Sequence, residues 1–344
     1  KHLECLKNIT EYRSLLSQLR LMKAKHAGKA QGSDFVKINS ILSSPLLASP
    51  DRALSFSALK NYNLIHLYCS VLLDKYDNTT YNRQKEWIMY LESDKTKFTD
   101  RIHTYLAALI NLMLVQIKVG KPDEAEKQYE KIKNIFFSLT PKKRTKSLLD
   151  DFIGASSNYI VLFIERGNPE KSLKTWEEIK NFISFNKLNP YMFLIMCDNL
   201  YTMYFMLGKY HDALYWLNKN LNFKEKYLSY AQTIARLYIL LVHYELGNYK
   251  MLRYLAKSSK RFLIKHNSFF EFEKTMVSFF ENKIAKIRSQ QQQVRIFGEL
   301  KEQIMDLYKG STRGGIVEYF DFISWIESKI RNKPFVEIIR EKVK

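Results

Sequence analysis

The sequence predicts an all-α fold built from repeated helix pairs, and three observations carry that prediction. Apolar residues recur at three- and four-residue spacing through most of the chain, the period of a helix with one buried face. Four segments align on Gly120, Gly167, Gly208 and Gly247, and a fifth carries Asp74 in the same place, giving spacings of 46, 47, 41 and 39 residues. Only 11 glycines and 7 prolines occur in 344 residues, too few for the turns of an all-β fold or for long linkers. Each spacing accommodates two helices of roughly 15 to 20 residues and two short connections. Glycine suits the left-handed residue that stops the first helix. Pro122 and Pro169 suit the first turn of the second helix, where a missing N–H costs nothing.

Taken in order, Leu3 to about His26 reads as a long helix, with Leu15, Leu16, Leu19 and Met22 on one side and Arg13, Arg20 and Lys23 on the other. The small-residue run Ala27 to Ser33 breaks it without the glycine-lysine spacing of a nucleotide-binding loop. A short helix, Asp34 to Leu42, ends before Ser44-Pro45. Helix pairs are then expected at about 54–73 with 78–92, 100–119 with 122–138, and 146–166 with 169–185. Three more follow at 190–207 with 210–221, 226–246 with 249–266, and 269–287 with 293–308. Pro141 to Lys146 is an exposed basic connector, and Gln290 to Gln293 reads as a polar turn. The strongest break is Lys309 to Gly315, after which helices over Ile316–Ile330 and from Pro334 are expected to cap the array. This divides the chain into N-terminal helices over 1–48, repeats over 49–288 and capping helices over 289–344.

The best-formed unit, LGKYHDALYWLNKN, resembles a tetratricopeptide repeat. Gly208, Tyr210, Ala213 and Leu217 fall at that family's turn glycine, aromatic, small and large positions, and Gly120, Ala125, Tyr129 and Ile132 match almost as well. Every spacing exceeds the family's usual ~34 residues, so the repeats are degenerate and their helices lengthened. The resemblance implies a right-handed α-solenoid of antiparallel helix pairs with terminal capping helices. It also implies a non-enzymatic scaffold whose concave groove binds a peptide or protein segment.

Asn111, Asn158 and Asn199 each lie nine residues before their unit's glycine. In tetratricopeptide domains that column faces the groove, and the likeness implies that these amides hold the backbone of an extended peptide. A carboxamide can donate to a peptide C=O and accept from an N–H whatever the ligand's side chains are. In a groove of this kind, Arg236 or Tyr238 would supply side-chain selectivity. The other reading of the asparagines is that they bond between neighbouring helices and fix the stack. The repeated Lys/Arg of carboxylate-clamping members is missing from the flanking positions, which include Ser157, Asp198, Glu165 and Met206.

The net charge of +20 supplies a second binding hypothesis. Residues 201–300 carry 16 basic against 7 acidic side chains, the largest imbalance in the chain. Within them, Lys250, Arg253, Lys257, Lys260, Arg261 and Lys265 share one face of a helix, and no acid lies between Glu245 and Glu271. Such a face fits nucleic acid or another polyanion, in competition with the plainer reading of a solvated surface.

Catalytic, metal and cofactor patterns do not emerge from the sequence. Cys5, Cys69 and Cys197 are far apart, and His66, His103 and His243 are isolated on helical segments. Neither an enzyme nor a cofactor is expected, and a reducing, cytoplasmic setting is the default. The longest apolar run, Tyr105 to Ile117, is too short to span a bilayer. The chain begins at Lys1 without methionine, which leaves open an upstream segment or domain.

Overall fold

A computed structural model describes residues 2–25, 30, 32–93, 101–183, 188, 190–223, 229–310 and 320–343. Among the described residues the regular structure is entirely helical, with sixteen α-helices and no strand. Two compact units are formed, Lys1–Phe152 and Ile153–Lys344.

The first unit contains α1 (His2–Lys25), α2 (Asp34–Leu42), α3 (Phe56–Leu73), α4 (Asn78–Glu92), α5 (Ile102–Lys118) and α6 (Pro122–Ser138). Helix α1 packs on α3, α4 on α5, and α5 on α6. Its predicted apolar stripe is the buried one: Leu16 and Leu19 join Ile38, Ile65 and Cys69 in a common core. The Tyr12 hydroxyl donates to the Leu46 carbonyl at 2.6 Å. Asn8 donates to Arg52 O at 3.1 Å and accepts from Leu54 N at 3.0 Å, which ties α1 to the chain entering α3. Pro141–Lys143 forms an exposed 3-10 turn, and Arg144 returns to donate to the carbonyls of Phe136 and Phe137.

Helix α7 (Lys146–Glu165) contains the boundary between the units. It is long and apolar enough to cross a bilayer by composition, unlike the shorter apolar run Tyr105 to Ile117, and 61% of its apolar window is buried within the protein. The second unit continues with α8 (Pro169–Ile179), α9 (Pro190–Met206), α10 (Tyr210–Leu221), α11 (Ser229–Glu245) and α12 (Tyr249–Lys265). It ends with α13 (Glu271–Asn282), α14 (Gln290–Gly310), α15 (Phe322–Arg331) and α16 (Phe335–Val343). From α9 onward each helix packs on its neighbour in sequence.

The aligned glycines share one helix stop. Gly120, Gly167, Gly208 and Gly247 have φ between 67° and 73°, and Asp74 reaches φ 50° in the same role. The N–H of the following residue reaches five residues back: Lys121 to Gln116 O, Asn168 to Phe163 O, Lys209 to Tyr204 O, Asn248 to His243 O and Lys75 to Ser70 O, all at 2.8–3.0 Å. This left-handed closure satisfies carbonyls that the helix end would leave unpaired. An L-residue in that conformation is disfavoured by roughly 1–2 kcal/mol, the cost Asp74 bears and the glycines avoid.

Two expectations need correction. Gln290–Gln293 is the first turn of α14 rather than a polar turn, because Ser289 Oγ accepts from Gln292 N at 3.3 Å and caps the helix. The second helix of the third pair ends at Ile179, followed by a 3-10 turn to Phe182, rather than continuing to 185. The expected break over Lys309–Gly315 falls mostly outside the described residues, as does the expected start at Ile316. Helix α15 is described from Phe322, where Asp321 accepts from Ser324 N at 2.8 Å.

Candidate functional site

The second unit carries a half-open cavity of about 430 Å³. Its walls come from α7 (Val161, Ile164, Glu165), α9 (Ile195, Asp198, Asn199, Thr202, Met206), Ile234 of α11 and the chain's own C-terminal segment. On α9 the lining positions 195, 199, 202 and 206 fall at helical spacing and so form a single stripe. The same arithmetic aligns Val161, Ile164 and Glu165 on α7.

Asn199 is buried against this wall. Its Nδ2 donates to Ser157 Oγ at 2.7 Å and lies 3.4 Å from Ser157 O, so the amide ties α9 to α7. Asp198 lines the cavity beside it and accepts from Asn220 Nδ2 at 2.6 Å. Burial pushes the Asp198 carboxyl up to about 7, against the hydrogen bonds from Tyr201 and Asn220 that favour its charged form. The site therefore carries a carboxyl whose charged form burial disfavours, next to an apolar surface.

The remaining wall is an aromatic cluster. Tyr201 packs on Tyr238 with ring centroids 4.6 Å apart, and Tyr238 on Phe320 at 4.6 Å. Phe320 in turn meets Phe335 at 5.2 Å, and Phe335 meets Phe205 of α9 at 5.8 Å. Helix α16 contributes Phe335, Ile339, Lys342 and Val343 to the cavity. It is held by Arg340, whose Nε donates to Gly167 O at 2.7 Å and whose terminal nitrogen lies 2.9 Å from both Glu170 oxygens. Gly167 permits this approach: a Cβ there would stand 2.9 Å from Arg340 Cγ. Lys342 pairs with Asp321 at 3.0 Å across the same segment.

The positions singled out from the sequence separate into three groups. Asn199 reaches the cavity, with its amide committed to Ser157. Asn158 is half-buried on α7 and does not line the cavity, and Asn111 is half-buried on α5 in the first unit. Tyr238 is fully buried inside the aromatic cluster, and Arg236 is half-buried with its guanidinium 4.7 Å above the Phe262 ring. Burial lowers the Arg236 pKa. The six cations of α12 are all exposed.

Thr202, Phe320, Phe335 and Ile339 were not anticipated as site residues. Phe335 and Ile339 stand four apart on an amphipathic helix, which signals a packed face and leaves its counterpart unspecified. Among the described residues no group of His, Cys, Asp and Glu has the arrangement of a metal centre. No protein-family model matches the sequence, and no curated protein matches it.

Proposed function

We propose that the protein is a non-enzymatic scaffold of degenerate tetratricopeptide-like repeats, wound as a right-handed solenoid, whose groove binds a segment of a protein partner. The observation that carries this reading is the seating of α16. Phe335 and Ile339 of α16 pack as one wall of an apolar cavity otherwise built by α7, α9 and α11, while Arg340 grips a helix-stop carbonyl and a carboxylate at the rim. Apolar anchors spaced along one helix face, with a charged residue at the edge, are the chemistry of helix-in-groove recognition. Asn199, Asp198, Thr202 and Glu165 supply the polar positions that would fix the orientation of a bound segment. The asparagine ladder contributes to this reading through Asn199, which lines the cavity.

Selection of binders to the full chain from a random-peptide display library tests the proposal. Enriched peptides should carry an aromatic and an aliphatic residue four apart, followed by a basic one. Thr202→Phe, which fills the cavity, should weaken capture at least about ten-fold with unchanged thermal melting, and Arg340→Ala should strengthen it by loosening α16. Failure to enrich any motif, or peptides retained equally by Thr202→Phe, would overturn the reading.

A further inference from the structure

The outward face of α12 is separate from the cavity and has its own chemistry. Lys250, Arg253, Lys257, Lys260, Arg261 and Lys265 are exposed along it. Among the described residues none of the six takes part in an ion pair. Some lysines elsewhere in this unit are compensated: Lys274 pairs with Glu271, Lys283 with Glu299 and Lys301 with Glu327. The sequence places no acid between Glu245 and Glu271, so α12 itself offers these cations no partner.

Two large side chains stand among these cations. Tyr254 is 77% exposed and lies four residues after Lys250 and three before Lys257. Ile264 is 53% exposed and lies four residues after Lys260 and three after Arg261. Neither holds α12 in place, since that packing rests on Leu252, Ala256, Ser259 and Leu263 on the opposite side. From Lys250 to Lys265 the face runs for roughly 22 Å at 1.5 Å per residue.

We propose that this face binds single-stranded nucleic acid, with the cations on successive phosphates and Tyr254 stacked on a base. A positive track with an exposed aromatic in it is the arrangement that grips single strands without reading their sequence. A membrane surface fits less well. A helix that lies in the lipid interface sinks its apolar face into the acyl boundary, and the apolar face of α12 is turned into the protein core. An acidic peptide would use the cations and leave Tyr254 without a role.

The test is fluorescence anisotropy of the full chain with labelled oligo-dT and oligo-rU of about twenty nucleotides, run beside polyglutamate and phosphatidylserine vesicles. Affinity should fall with salt at a logarithmic slope of about −0.7 per phosphate neutralised, hence near −4 for six cations. Lys257→Glu combined with Arg261→Glu should weaken binding at least about ten-fold and flatten that slope. Tyr254→Ala should weaken it roughly ten-fold at an unchanged slope. All of these side chains are exposed, so thermal melting should stay the same and loss of fold is readily distinguished. Absence of binding at low salt, or binding that survives the charge reversal, would overturn the proposal. So would equal affinity for polyglutamate or vesicles with no effect of Tyr254→Ala, and that result would give the face to an acidic protein or a membrane.

Discussion

The first unit anchors its terminal helix with neutral hydrogen bonds, whereas the second anchors its terminal helices through carboxylates. Tyr12 and Asn8 fix α1 to backbone carbonyls and an N–H. In the second unit Glu245 accepts from Trp325 Nε1 at 2.7 Å and from Lys329 Nζ at 2.5 Å, and Glu170 receives Arg340. The Glu245 and Lys329 side chains are only 10% and 16% exposed, so removing a partner leaves charge in a poorly solvated place. A neutral closure is forgiving and indifferent to pH. A charged one is specific, and fails harder when a partner is lost.

The largest break in that comparison should come from Trp325→Ala. The indole is fully buried, 5.5 Å from Phe297, 5.8 Å from Tyr244 and 6.0 Å from Phe280. Its loss creates a cavity and removes a donor from Glu245 together, which predicts about 3–5 kcal/mol of destabilisation in denaturant titrations. A loss below about 1 kcal/mol would show that the closing helices contribute little to the second unit.

Asp198→Asn sharpens the contrast through pH. The folded carboxyl titrates at about 7, above the ordinary value of 3.8, so the folded state holds its proton more tightly than the unfolded chain. Asp198 therefore costs nothing at low pH. Its penalty grows as pH rises from about 4 through about 7 and is complete above that. Asparagine keeps a neutral acceptor facing Asn220 and removes the titration. The variant should gain stability relative to the parent above pH 7, by on the order of a few kcal/mol at most, and the gain should vanish toward pH 4. A gain that does not change with pH would mean that Asp198 does not titrate in this window.

How much of this was legible depends on the range over which each feature is determined. The helix stops are local: the left-handed position at Gly208 and its substitute Asp74 follow from the chain's own geometry, and spacing alone located them. The exposed cations of α12 are legible for the same reason, because one helix period decides which side faces out. The cavity is a long-range object. Phe320 and Phe335 meet Tyr238 and Phe205 across more than eighty residues of sequence, and periodicity reports that a face is apolar without naming what covers it. That is why Tyr238, expected in a groove, is buried, and why Asn199 is engaged by Ser157, 42 residues earlier. The Gln290–Gln293 run misled for a related reason. Its composition is that of a turn, but the cap at Ser289 and the bond from Gln293 Nε2 to Lys329 O at 3.0 Å hold it as helix.

The smallest expected effect is Tyr12→Phe, and it tests the neutral side of the comparison. The ring is completely buried in the first unit's core, so phenylalanine preserves the packing and deletes only the bond to the Leu46 carbonyl. Deleting this part-buried bond should cost about 0.5–1.5 kcal/mol. Burial raises the Tyr12 hydroxyl to about 12, so it remains protonated throughout the range in which Asp198 titrates. The Tyr12→Phe penalty should accordingly be the same at about pH 5 and about pH 8, while the effect of Asp198→Asn differs between them. A Tyr12→Phe penalty that moved with pH would place a titrating group within reach of the Tyr12–Leu46 bond, and the first closure would then share the charged character of the second.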